Sequence, residues 1–203
     1  MLTISYHVGG CRTNSVFKNI YSRRAVREYK PDEVPDEVIM ELIRAGTYAP
    51  SALDEQPWRF VVIKNRGLMK KLSDRAKDHW LESAKGQTDE ETKELIELVS
   101  DPQFNIFYDA PVLVLIFTRP GADSPEFGCA LAAENMMLGA RSLGIGSCWI
   151  GLASVLGSDK ELMKKIGAPE DHRLMSQMIF GYPFKKKIVA PERNKDVILN
   201  WIK

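Results

Sequence analysis

The feature that most constrains the fold is the unbroken apolar run Val-Leu-Val-Leu-Ile-Phe at residues 112–117, directly after Pro111. Successive side chains of a strand point to opposite faces, so apolar residues at every position require a cover on both faces. We therefore predict a central strand here. Further strands are predicted at 58–63, at 174–181 and in the residues that lead up to Gly151.

Apolar residues recur at helical spacing between these strands. We predict helices at 16–21, 35–46, 66–100 (two helices around a break at 86–89), 124–143 and 154–166. The helix at 124–143 carries short side chains on one side, namely Gly128, Ala132, Asn135, Gly139 and Ser142. Such a face lets another helix approach closely, and in a chain of this length we expect a second subunit to supply it.

Length and charge limit the classes of function. The 203 residues suffice for one well-buried core, so we expect a single domain at 15–203 after an N-terminal extension at 1–14. With 28 Lys+Arg and 27 Asp+Glu the net charge is +1, which argues against a nucleic-acid partner. No apolar run approaches the roughly 20 residues that cross a bilayer. The extension lacks the basic and apolar regions of a secretory signal, so we expect a cytoplasmic protein.

The cysteines and histidines are scattered through the sequence, at Cys11, Cys129, Cys148, His7, His79 and His172. No two of them have the spacing typical of metal ligands. We therefore expect reduced thiols and no structural metal.

Residues 22–27, Ser-Arg-Arg-Ala-Val-Arg, hold three guanidinium groups within five positions. Like charges repel, and each guanidinium favours an anionic partner. We expect the preceding helix to end in this segment, so that Arg23 and Arg27, or Arg24 and Arg27, project to one side at helical spacing. Two interpretations follow: a site for a small anion, or a solvated helix end whose charge is balanced by Glu28, Asp32 and Glu33.

Two further segments have the character of ligand-binding loops. Residues 49–57 form an irregular loop bounded by prolines, longer than the about 2 to 6 residues usual between a helix and a strand. Residues 144–151 come in the order helix, glycines, strand, whereas a dinucleotide fingerprint needs strand, glycines, helix. We expect Gly144 to end the helix and Gly151 to mark a place where backbone approaches a ligand closely.

The aromatic residues near position 100 and the C-terminal arm each allow two interpretations. Aromatic side chains either anchor the charged helices to the core, which we expect for most of them, or line a lid over a substrate: Trp80, Phe104, Phe107 and Tyr108. The arm at 184–203 ends in side chains too apolar to remain in water: Val197, Ile198, Leu199, Trp201 and Ile202. We expect this arm to dock on its own core or on a second copy of the chain.

Three segments, 22–29 (SRRAVREY), 49–63 (APSALDEQPWRFVVI) and 143–151 (LGIGSCWIG), closely resemble in sequence and order the motifs of the FMN-dependent nitroreductase family. The resemblance covers about residues 15–201. It implies an α+β fold with a mostly antiparallel central sheet flanked by helices. It also implies a domain-swapped homodimer with two FMN sites at the subunit interface, to which the small-residue helix and the apolar arm would contribute.

The resemblance implies roles for the residues of the first motif. Arg23 and Arg24 would bind phosphate or ribityl oxygens of FMN, and Arg27 would lie near N1 and O2 of the flavin ring. Ala25 stands where a serine is common in the family, which removes one hydroxyl contact to the cofactor.

The other two motifs and the arm would complete the flavin site. Residues of the second motif would reach the flavin from the other subunit: Ser51, Ala52, Asp54 and Gln56. Asp54 stands where an asparagine is common, which adds a negative charge near the cofactor. Backbone of the third motif would face the isoalloxazine at Trp149, Ile150 and Gly151. In the arm, Arg193, with Lys187 as the alternative, would be a further phosphate-binding residue.

The activity that the resemblance implies is electron transfer from NADH or NADPH, through FMN, to a nitroaromatic, a quinone or a similar flat small molecule by a ping-pong mechanism. We assign no catalytic acid or base, because the cofactor carries the chemistry. Alternatives in the same fold are reductive dehalogenation and flavin fragmentation. An alternative of another class is a flavin-binding regulatory module without turnover.

Overall fold

A four-stranded antiparallel sheet forms the centre of the computed structural model, which describes residues 14–185 and 188–203. Its strands are β1 (Trp58–Ile63), β2 (Val112–Thr118), β3 (Gly146–Trp149) and β4 (Arg173–Gly181). They lie in the order β1-β2-β4-β3, so β2 and β4 are interior strands. The prediction of a central strand at 112–117 is confirmed, and so is the expected antiparallel arrangement.

Helices cover the sheet on both faces. They are α1 (Ser15–Ser22), α2 (Asp36–Thr47), α3 (Arg66–Ser83), α4 (Glu90–Ser100), α5 (Pro125–Ser142) and α6 (Lys160–Lys165). Short 3-10 segments lie at Ala52–Asp54 and Gly151–Ser158. None of the described helices is both long enough and apolar enough to cross a membrane.

The predicted helix at 154–166 is wrong in its details. The chain forms the 3-10 segment Gly151–Ser158 and then α6, with Asp159 between them. The Asp159 carboxylate accepts the backbone N–H of Leu162 at 3.0 Å and so begins α6 as an N-cap. A single continuous helix is excluded, because a capping aspartate has non-helical backbone angles.

The core has two layers, one on each face of the sheet. Val112, Val114 and Ile116 of β2 pack on one face against α2 and α5, whereas Leu113, Leu115 and Phe117 pack on the other face against α3 and the 3-10 segment Gly151–Ser158. Every side chain of β2 is buried. The alternation of a strand therefore distributes one apolar run between two cores, which explains why the run is unbroken.

The small-residue face of α5 is covered by α2 of the same chain. A Cβ atom added to Gly46 of α2 would lie 2.9 Å from Met136 Cγ, so the two helices are in close contact. The side-chain amide of Asn135 donates to the Ala45 carbonyl oxygen at 3.2 Å across the same contact. The expectation that a second subunit covers this face is therefore wrong. α2 ends at Thr47, one residue beyond the predicted end, and Gly46 lies inside the helix, where it allows the close contact with α5.

Two side chains of α3 hold the segment 101–110. The ammonium of Lys77, which is buried, donates to the carbonyl oxygens of Asp101 and Phe104, and the Ser73 hydroxyl accepts the N–H of Ile106 at 3.0 Å. Phe107 is fully buried, which confirms an anchoring role for this aromatic residue. The segment is therefore fixed to the core at several points.

Much apolar surface remains exposed on α1, on one side of α5 and on the arm. α1 buries none of its side chains, and Phe17 stacks on Tyr21 at the surface. Phe127, at 68% exposure, and Leu131 lie one turn apart on α5 and are also exposed. The apolar residues of the arm, which include Leu199 and Trp201, do not dock on the core of their own chain. The expectation that the arm docks on its own core is therefore wrong.

Candidate functional site

The arginine segment runs beside β3 in an extended conformation. α1 ends at Ser22, and Ala25 forms a parallel bridge with Ser147. The N–H of Val26 donates to the Ser147 carbonyl oxygen at 2.9 Å. The predicted helical spacing of the arginines is therefore wrong, because the edge of β3 satisfies backbone groups that a longer helix would otherwise have paired. As a result Arg23 and Arg24 share a cavity, and Arg27 lies in a separate groove.

The cavity has a volume of about 230 Å³ and lies between the arginine segment, the end of α5 and the residues after β4. Its basic lining residues are Arg23, Arg24, Arg141 and Lys185. Within residues 14–185 and 188–203, no carboxylate lines it. The concentration of positive charge favours a small anion as its ligand.

Arg24 lines the cavity and carries a buried nitrogen without a hydrogen-bond partner among the described residues. Its Nη1 donates to the carbonyl oxygens of Tyr21 at 2.8 Å and Arg23 at 2.7 Å, which caps the end of α1. Its Nε is buried and has no hydrogen-bond partner in the described part of the chain. An unpaired buried donor is costly, so this nitrogen is better explained by an anionic ligand than by a solvated helix end.

Helix α5 orients two of the guanidinium groups. Nε of Arg23 lies 3.3 Å from Oε1 of Glu134, and Nε of Arg141 donates to the Ser22 hydroxyl at 3.0 Å. Glu134 and Arg141 are seven residues apart and therefore lie on the same face of α5. In each contact the Nε atom is engaged and the terminal nitrogens are not part of it, so the planar ends can face a ligand.

Arg27 lies in a groove with aromatic walls. Its guanidinium carbon is 5.9 Å from the centroid of the Tyr108 ring, a cation–π distance. The groove is also lined by Phe104 and Phe184, and Phe104 meets Tyr108 edge to face. Tyr108 therefore contacts a predicted site residue directly, a contact that its position in the sequence did not reveal.

Arg23 in the cavity and Arg27 in the groove both act electrostatically on Cys148 of β3. Burial raises the pKa of the Cys148 thiol, while the positive charges of Arg27 and Arg23 act in the opposite direction. Both guanidinium groups are therefore near β3 although they face different openings. Burial also raises the pKa of Tyr29, whose hydroxyl donates to the Val26 carbonyl oxygen at 2.7 Å. Both groups stay neutral near pH 7, so the arginines supply the charge of this region.

The loop at 51–56 is held in a defined, strained conformation. Leu53, Asp54 and Gln56 have positive φ angles of 50°, 53° and 48°, which non-glycine residues rarely adopt. The Ser51 hydroxyl accepts the N–H of Gln56 at 2.9 Å, and the Gln56 amide donates to Asp54 at 3.1 Å. Together with Ala52, these residues lie apart from the cavity of their own chain. Strain of this kind is often found where a loop contacts a ligand.

The remaining predicted residues lie at the end of β3 and in the arm. Ile150 is buried and its N–H donates to the Gln177 carbonyl oxygen at 2.8 Å, while Trp149 and Gly151 are exposed on either side of it. A Cβ added to Gly151 would meet no atom within 4 Å, so its backbone is open to a ligand. Arg193 is exposed in the arm and does not line the cavity, and Lys187 lies outside the described residues.

Sequence reasoning missed the polar partners of the arginines. Ser22, Glu134 and Arg141 come from two helices, and only the packing of α1 on α5 brings them together. A contact without any sequence signal contributes to that packing: the Asn19 side-chain amide donates to the Leu138 carbonyl oxygen at 2.6 Å. Arg141 has the position of an ordinary basic residue in the last turn of a helix, where it interacts favourably with the helix dipole.

Residues 20–182 of this 203-residue chain match the model of the nitroreductase family. The chain belongs to the nitroreductase family. A relative from Archaeoglobus fulgidus, described as an NADH dehydrogenase/NAD(P)H nitroreductase, is 33% identical over 171 residues, which are 84% of this chain and 86% of the relative. An iodotyrosine deiodinase from Thermotoga neapolitana is 25% identical over 183 residues, which are 87% of this chain and 92% of that protein.

The fold of this nitroreductase-family chain is also similar to a solved structure. A nitroreductase with bound FMN from Bacteroides fragilis superimposes with a TM-score of 0.80 at 29% identity, and the match covers 94% of this chain and 100% of the other. The predicted fold class, an α+β nitroreductase-like fold, is therefore confirmed.

Proposed function

We propose that this protein is an FMN-dependent oxidoreductase that passes electrons from NADH or NADPH to a flat acceptor such as a nitroaromatic or a quinone. The observation that carries the proposal is the basic cavity, in which the buried Nε of Arg24 has no partner among the described residues. The similarity to a nitroreductase structure with bound FMN supports FMN as the source of the anion.

The cavity fits one end of the cofactor. A volume of about 230 Å³ accommodates a phosphate and part of a ribityl chain but is small for a whole ligand of this size. In the proposal Arg23 and Arg24 bind the phosphate end, with Arg193 or Lys187 added from the arm. The backbone of Trp149, Ile150 and Gly151 would face the flavin ring, and a Cβ atom added to Gly151 would meet no atom within 4 Å.

Arg27 supplies positive charge at the pyrimidine end of the ring in this arrangement. Bound FMN supplies the chemistry, since it accepts two electrons as a hydride and later passes them to the acceptor. Arg27 is exposed in the single chain. Covered by bound FMN and a second copy, its guanidinium would stabilise negative charge more strongly than water does. The aromatic contact with Tyr108 orients Arg27 for this role.

The site is complete only in a homodimer. The strained loop with Ser51, Ala52, Asp54 and Gln56 does not line the cavity of its own chain, which is consistent with a place in the site of a second copy. Exposed apolar side chains on α1, α5 and the arm provide a surface for that copy. The arm of one chain lies on the other in this proposal.

Steady-state assays with the purified full-length protein test the function. We expect oxidation of NADH or NADPH that depends on FMN and on a quinone or nitroaromatic acceptor, with the parallel reciprocal plots of a ping-pong mechanism. Tightly bound FMN with no turnover of any donor would instead support a non-catalytic flavin module.

A second candidate function is reductive dehalogenation, which the similarity to an iodotyrosine deiodinase favours. It requires the same cofactor but a different acceptor. Incubation of the dithionite-reduced protein with 3-iodotyrosine under nitrogen separates the two: release of iodide and tyrosine supports dehalogenation, and reduction of the nitroaromatic alone supports the first proposal.

A further inference from the structure

We propose that Arg141 is a further phosphate ligand of the flavin site, contributed by the C-terminal end of α5. This inference rests on the proposed binding of FMN. It adds to the site a residue that lies more than a hundred positions away from the arginine segment in sequence.

The first argument is the position of Arg141 in the cavity. It lines the same 230 Å³ cavity as Arg23 and Arg24, beside Ser22, which directly precedes them. No carboxylate lines the cavity within the described residues, although Glu134 pairs with Nε of Arg23. A third guanidinium therefore adds positive charge to a basic cavity, and like charges repel. A dianionic group bound among the guanidinium groups reverses the sign of that interaction.

The second argument is the way the guanidinium is held. Nε of Arg141 donates to the Ser22 hydroxyl at 3.0 Å, and Ser22 lines the cavity too. Neither terminal nitrogen of Arg141 has a hydrogen bond or an ion pair within the described residues. A guanidinium fixed through Nε presents its two terminal N–H groups as a fork, which matches two oxygens of a phosphate.

Comparison with the other basic residues singles out Arg141. Lys185 also lines the cavity, but its ammonium is paired with Glu28 at 2.6 Å. Nε of Arg23 is paired with Glu134, and Nη1 of Arg24 is committed to two backbone carbonyls. Arg23 and Arg141 both keep their terminal nitrogens free of protein partners among the described residues, but only Arg23 has a carboxylate at its guanidinium. The helix dipole alone would account for an arginine in this last turn, but not for the contact with Ser22.

A comparison of FMN with riboflavin tests the assignment. The two ligands differ only in the phosphate, so a phosphate ligand matters for one and not for the other. The full-length protein, stripped of flavin, is titrated with each ligand while flavin fluorescence is followed. We expect Arg141→Met to weaken FMN binding by about 10- to 100-fold, as for the loss of a charge-assisted contact. Riboflavin binding should stay within about twofold, since no charged contact is lost.

Two further variants sharpen the test. Ser22→Ala, which removes the hydroxyl that holds Nε, should weaken FMN binding less than Arg141→Met does and again spare riboflavin. Arg44→Met is the matched control, because Arg44 also lies in the last turn of a helix, α2, pairs with the exposed Glu41 and does not line the cavity. It should leave both affinities unchanged.

The outcomes separate this inference from the proposed function. Equal losses for FMN and riboflavin would show that Arg141 acts on the fold and not on the phosphate, and would overturn the assignment. Unchanged FMN affinity in Arg141→Met, with tight binding by the wild type, would overturn it as well and leave the proposed function intact. A wild-type protein that binds neither ligand would overturn both.

Discussion

Nε of Arg23 lies 3.3 Å from the carboxylate of Glu134, so a residue at the end of α1 is oriented by a residue in the middle of α5. The pair is partly exposed, with side-chain exposures of 28% and 43%, and contributes little to stability by itself. Its consequence is geometric. It fixes the direction of the guanidinium and leaves the terminal nitrogens toward the cavity.

Replacement of Arg23 should therefore weaken flavin binding. We expect Arg23→Ala to reduce FMN affinity by about 1.5 to 3 kcal/mol, the size of a hydrogen bond to a charged group. The FMN affinity of Arg23→Lys should lie between those of the wild type and Arg23→Ala, because an ammonium cannot pair with Glu134 and present a planar fork at once. Isothermal titration with FMN measures the change. An affinity equal to that of the wild type in Arg23→Ala would refute the assignment.

Gly146 tests the contact between β3 and the arginine segment. A Cβ at this position would lie 2.8 Å from Cγ2 and 2.9 Å from Cβ of Val26, close to the backbone of the segment. Gly146→Ala should push residues 24–27 away from β3, with a loss of about 1 to 3 kcal/mol in the free energy of unfolding and weaker FMN binding.

Denaturant unfolding and FMN titration measure the two effects of this substitution. Gly67→Ala serves as the control, since a Cβ added there would lie 3.4 Å from Asn65 Oδ1, an ordinary contact distance. If Gly146→Ala bound FMN as tightly as the control, the arginine segment would not depend on β3 for its position.

Lys77 should stabilise the segment that carries Tyr108. Lys77→Met keeps most of the buried stem but leaves the carbonyl oxygens of Asp101 and Phe104 without their donor. We expect a loss of about 1 to 3 kcal/mol in the free energy of unfolding, the cost of unsatisfied buried polar groups. Hydrogen exchange should accelerate at residues 101–109. Lys71→Met, at an exposed position of the same helix, should change stability by no more than about 0.5 kcal/mol.

If the amide hydrogens of residues 101–109 exchanged at the same rate in the wild type and in Lys77→Met, this anchoring role would be contradicted. In that case Ser73 and Phe107 alone would hold the segment.

Removal of residues 190–203 should prevent formation of a flavin-loaded dimer. In the single chain Leu199 of the arm is fully exposed and Trp201 is 68% exposed. A second copy would cover this apolar surface and remove it from water. We expect the truncated protein to be aggregated or monomeric and to contain little flavin, as measured by size-exclusion chromatography with light scattering and by absorbance at 450 nm. Removal of Lys203 alone is the control. A stable yellow dimer without the arm would contradict its role.

The local elements of this fold could be predicted from the sequence because each has a local cause. The apolar run at 112–117 identified the central strand. Gly144, with a φ of 75° just after the end of α5, marked the end of that helix.

Apart from the helix predicted at 154–166, the errors concern contacts between elements, which have no local signal. The small-residue face of α5 indicated a close neighbour but not that α2 would be that neighbour. The arginine segment was expected at helical spacing, and its bridge to Ser147 depends on a strand more than 120 residues later. Arg141 and Glu134 could be identified as partners of the site only from the packing of α1 against α5.

The flavin content of the purified protein tests the central claim most directly. Full-length protein should be yellow, and heat should release FMN, identified by mass spectrometry, at about one molecule per chain. If the preparation is colourless, it should take up added FMN and hold it through gel filtration. A protein that carries no flavin and takes up none would contradict the account.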